Sequence, residues 1–135
     1  MQKASTIAFA LFATFLVAIV LIANNGHGHR VYGVFSKIPH YDKIGHFLLM
    51  GGLSFLAVIA LAPRIPWDGW KSSLAVMVGV SLIVTVEELS QSQVASRTFS
   101  LPDLGFSLAG ILFCGALGHW LVHRNARRVT TADPA

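Results

Sequence analysis

Four apolar blocks, each close to the length that crosses a bilayer, constrain this chain more than any other feature. Ala4 to Ala23 is an apolar run of twenty residues, about what a helix needs to span the hydrocarbon core. Three more blocks follow, from about Asp42 to Ala62, from Ser72 to Gln91, and from Ser100 or Pro102 to near Val122. Inside hydrocarbon the backbone must satisfy its own hydrogen bonds, so such blocks read as helices. The composition agrees: 54% of the 135 residues are hydrophobic and only 12% are charged, against about a quarter charged in a soluble domain. The expectation is an all-α polytopic membrane protein, a four-transmembrane-helix bundle, with one domain over 1–123 and a short basic cytoplasmic tail over 124–135.

The punctuation between blocks supports that division. Lys3 precedes the first block as it would in a signal peptide, but the apolar core is too long and Leu21-Ile22-Ala23 is a poor cleavage site. Asn24-Asn25-Gly26 should break the first helix, and Pro39 should delay the second until Asp42, placed where an N-cap belongs. His27 and His29 have no third ligand nearby, so a solvated loop is preferred to a metal site. Pro63 and Pro66 end the second helix, and Trp67 and Trp70 suit the headgroup layer. Ser100-x-x-Asp103 matches a capping box at the start of the fourth helix. Gly51 and Gly52, and the stripe Gly110, Cys114, Gly118, suit close helix packing. The lone Cys114 permits no internal disulfide.

Ionisable residues are costly inside apolar segments, so those present mark a site to be explained. Asp42, Lys43 and His46 open the second block, Glu88 and Gln91 close the third, Arg97 lies between, and Asp103 opens the fourth. Glu88 and Gln91 share a helix side at i and i+3. Glu87 and Glu88 point about 100° apart and are not expected to face one partner. Four crossings place both termini on one side with Lys3, Arg64, Lys71, Arg124, Arg127 and Arg128, against Arg30, Lys37, Lys43 and Arg97 on the other. The six-to-four bias makes the termini cytoplasmic by the positive-inside effect. The same parity gathers Asp42, Lys43, His46, Glu88, Gln91, Arg97 and Asp103 at the outer membrane face.

At these residues the chain resembles the VanZ-like family of small membrane proteins. The matching pieces are Asp42-Lys43-x-x-His46-Phe47, Glu88-x-x-Gln91, Arg97, and Asp103 with Gly110 seven residues on. They lie in the middle and last thirds of the chain. Many relatives carry a carboxamide or carboxylate four residues after the helix-four aspartate, where this chain has Ser107. The family is linked to resistance to the glycopeptide teicoplanin, and the resemblance implies an envelope-related role in the cell membrane without supplying a reaction.

Three function classes remain open from the residues. Lys43 and Arg97, with Gln91 and Ser107, would bind phosphate-bearing lipid headgroups or a partner membrane protein. In a membrane-embedded enzyme acting on a lipid-linked phosphate or glycolipid, Asp42, Glu88 or Asp103 would be the base and His46 the proton-transfer group. In a structural or assembly subunit, the same charges would pair with each other and fix three helices in register. Transport ranks last because the helix centres lack ionisable groups. No cofactor or metal is expected, since the spacing matches no metal motif. The basic residues form no continuous face, so membrane lipids rather than nucleic acid are the expected partners.

Overall fold

A computed structural model describes residues 2–27, 39–67, 69–94 and 99–131, with the side chains of 26–27 and 125–131 not described. Within them, α1 spans Gln2–Ile22, α2 Tyr41–Leu61, α3 Trp70–Ser90 and α4 Leu101–Thr131. Each is long and apolar enough to cross a membrane. Helix ends differ from expectation in three places, each for a local reason. Asn24-Asn25-Gly26 does not break α1 at once: the chain widens into a π turn over Ala23–His27, and the Asn25 amide donates to the Leu21 carbonyl at 2.9 Å. The N-cap of α2 is His40, in the left-handed region at φ 59°, with no side-chain cap. Asp42 therefore lies in the first turn of α2 rather than capping it, where its charge complements the helix dipole. Finally, α4 continues past Val122 to Thr131, because the segment holds neither proline nor glycine to stop it. Its 31 residues make a rod of about 46 Å, longer than a hydrocarbon core.

Small residues let α2 and α4 lie side by side, and this is the most extensive helix contact in the described chain. The pairing runs Lys43 with Asp103, His46 with Ser107, Gly51 with Cys114, and Gly118 with Phe55 and Val58. Both partners ascend in number together, so the two helices are parallel. Gly110 is where backbones meet, for a Cβ there would collide with the carbonyl group of Phe47. Gly118 similarly faces the Phe55 carbonyl oxygen, at 3.1 Å from where a Cβ would stand. Ser54 Oγ donates to the Ile111 carbonyl at 3.0 Å in the middle of this seam.

The third helix packs antiparallel to both. Its start meets the end of α4 through Ser73 and His119, its middle meets Gly115 through Met77, and its end meets the start of α4 through Glu88 and Ser100. Ala57, Val58, Val76, Met77, Val80, Val84 and Ile111 form the buried core between α2, α3 and α4. By contrast α1 rests mainly on α2. The Phe12 ring seats against Gly52, and Arg64 donates to Thr6 Oγ1 at 2.6 Å, joining the start of α1 to the end of α2.

Candidate functional site

The starts of α2 and α4 and the end of α3 come together at one end of the bundle, the end away from the first residues of α1. Glu88 is the best-satisfied member. Although only 2% exposed, it accepts the Gln91 side-chain N–H at 3.0 Å on one oxygen and the Ser100 backbone N–H at 3.1 Å on the other. Ser100 is the N-cap of α4, and its Oγ accepts the Asp103 N–H at 3.4 Å. In an ordinary capping box the third helical residue returns a carboxylate to the N-cap amide. Here Glu88 of α3 supplies that carboxylate, which frees Asp103 to turn toward α2. A hydrogen bond to a charged acceptor is worth about 1.5–3 kcal/mol, so Glu88 ties α3 to α4.

Gln91 revises the expected division between the two glutamates. Its Nε2 donates to Glu88 at 3.0 Å and also to both Glu87 oxygens, at 3.1 and 3.3 Å. Backbone directions 100° apart do not prevent this, because Glu87 at i−4 and Glu88 at i−3 both reach one amide. Gln91 is 4% exposed and its amide N–H groups are directed at these two carboxylates.

On the α2 side, Lys43 stands between two carboxylates. Its ammonium is 2.9 Å from Asp42 Oδ2 and 3.6 Å from Asp103 Oδ1. The Asp103 oxygen is itself buried and accepts no hydrogen bond. One turn deeper, His46 Nδ1 and Ser107 Oγ lie 3.1 Å apart. Such a pair has the spacing for nucleophile activation. Ser107, however, is 0% exposed, so its side of the pair is enclosed within the bundle. Arg97 lies outside the described residues, as does His29. No group of three or more histidine, cysteine or acidic residues suited to a metal ion occurs among the described residues.

At the opposite end, a cluster arises that block-by-block reading does not reveal. Ser73 Oγ and His119 Nδ1 are 2.9 Å apart, the Trp70 ring meets His119 edge-on at 4.4 Å, and the His123 ring lies tilted against His119 at 4.2 Å. Arg124 lies over the Trp120 ring at 5.0 Å. The signal was present in topology, since the start of α3 and the end of α4 must be neighbours. Comparison with protein-family models, curated proteins and solved structures finds no match to the chain.

Proposed function

We propose that the chain is a small, non-catalytic VanZ-like protein of the cell (inner or plasma) membrane, multi-pass, with both termini cytoplasmic. Its polar cluster at the outer face clamps α2, α3 and α4 and, on its open side, binds the headgroup of an envelope lipid or lipid-linked phosphate. The observation that carries this reading is the Lys43–Asp103 couple. Its ammonium side chain is still 26% exposed, beside a carboxylate oxygen with no hydrogen bond. A phosphate would meet the open side of the lysine, while the buried Asp103 oxygen holds the ammonium in place from behind. The rest of the described cluster is internally paired, and the buried Ser107 argues against a catalytic serine.

Charge distribution supports the orientation. With four crossings, the termini side carries six basic residues against Asp68 and Asp133, while the other side carries four basic residues against Asp42, Glu87, Glu88 and Asp103. The positive-inside effect counts Lys and Arg, and the excess of six over four, three of them just after Val122, favours cytoplasmic termini.

Native mass spectrometry of the detergent-extracted protein with added polyprenyl phosphate tests the binding claim. Lys43→Gln and Arg97→Ala should each reduce the bound fraction while the protein stays folded. Equal binding by both variants and the parent would remove the proposal.

A further inference from the structure

The outward face of α3 carries a built feature that the polar cluster does not use. Lys71, Leu74, Ala75 and Val78 follow the i, i+3, i+4, i+7 pattern and so form one stripe of the helix. Together with Trp67 they line an open, almost wholly apolar groove. The loop above it is pinned. Ser72 Oγ donates to the Trp67 carbonyl at 2.6 Å and to the Ile65 carbonyl at 3.3 Å, and the Trp67 N–H donates to Ile65 at 2.8 Å. Gly69, at φ +51°, provides the turn into α3. These bonds hold Trp67 at the same end of the groove as Lys71. From Lys71 to Val78 the stripe descends about 10 Å, a third of a hydrocarbon core of about 30 Å.

We propose that this groove seats an anionic phospholipid of the leaflet on the termini side. One acyl chain lies along Leu74, Ala75 and Val78, the Trp67 indole occupies the headgroup layer, and the exposed Lys71 ammonium meets the phosphate. Charge complementarity selects the occupant. With the four crossings proposed above, Lys71 lies on the side where six basic residues face only Asp68 and Asp133, and a zwitterionic lipid would bring a cation of its own to that side. The groove lies at the opposite membrane face from Lys43 and Asp103, so failure of either site leaves the other intact.

Tryptophan quenching tests it in the full chain. A Trp70→Phe/Trp120→Phe background leaves Trp67 as the sole tryptophan. It is reconstituted into phosphatidylcholine vesicles containing a low, equal fraction of acyl-brominated phosphatidylglycerol or acyl-brominated phosphatidylcholine. The anionic lipid should quench Trp67 with a preference of about fivefold, the weight of one lysine at a charged membrane surface. Lys71→Gln should abolish the preference and Lys71→Arg should keep it. Ala75→Leu, which fills the groove, should weaken quenching by both lipids. Equal quenching by the two lipids in the parent, a preference that survives Lys71→Gln or is lost in Lys71→Arg, or undiminished quenching in Ala75→Leu would each overturn the proposal.

Discussion

Replacing Gly110 by alanine adds one methyl group at the closest approach between α2 and α4. The new Cβ would collide with the Phe47 carbonyl oxygen and stand 3.0 and 3.1 Å from Phe47 C and Cα. All three atoms are backbone, so no rotamer change relieves the contact. Alanine brings about 1 kcal/mol of helix propensity over glycine. Overpacking costs about 1–3 kcal/mol and more where neighbours cannot yield, and the upper end applies to a backbone wall. If the seam opens, the Ser54–Ile111 hydrogen bond is strained too, at roughly 1 kcal/mol. The net loss should be about 3 kcal/mol, the difference between about 4 kcal/mol of clash and bond strain and the propensity gain of about 1 kcal/mol. Gly79→Ala is the matched control, since nothing lies within 4 Å of its Cβ position, and it should be neutral or gain up to about 1 kcal/mol. Unfolding by sodium dodecyl sulfate in mixed micelles, followed by tryptophan fluorescence, reads both. The two variants should differ by about a few hundredfold in unfolding equilibrium constant. A Gly110→Ala protein as stable as the parent would refute the seam.

Three further outcomes are expected. Glu88→Ala leaves the Ser100 N–H without its acceptor and the Gln91 amide with Glu87 alone and should lose about 1–3 kcal/mol in the same assay, whereas Glu88→Gln, which keeps one acceptor oxygen, should lose visibly less; equal losses would contradict the capping role. Gly69→Ala forces a side chain into φ +51°, ψ −118° and should lower stability by about 1–3 kcal/mol, an unchanged melting temperature being the contrary result. In a Cys114→Ser background, a membrane-impermeant maleimide should label Gln93→Cys but not Lys3→Cys in intact cells; the reverse pattern would invert the orientation.

The blocks and their parity were legible because twenty-residue apolar runs and proline–glycine punctuation are local properties of the chain. The α2–α4 seam was partly legible: Gly110, Cys114 and Gly118 repeat with a helical period. Gly115 falls one residue off that stripe, and its role emerges only when Met77 and Ser54 are seen to crowd it. The gathering of polar residues was also readable, but their pairing was not. Whether Glu88 meets a ligand or the Ser100 amide depends on how the chain between α3 and α4 closes, and no periodicity encodes that. Gln91 shows a related shortfall: Cα directions separated the two glutamates, while side-chain length reunited them. Asp42 looked like a cap because aspartate often is one, but the helix begins one residue earlier and its carboxylate turns to Lys43.

The parallel seating of α2 against α4 also bears on how the molecule is made. Its two bridging hydrogen bonds join residues 57 and 61 positions apart, so α2 emerges from the ribosome long before its main neighbour exists. Until the final segment arrives, Gly51 and Ser54 face an empty groove and the Glu88 carboxylate lacks the amide it will hold. The last helix is thus the keystone, and a nascent chain stopped after residue 94 would lose not one quarter of its architecture but the element against which the rest is assembled.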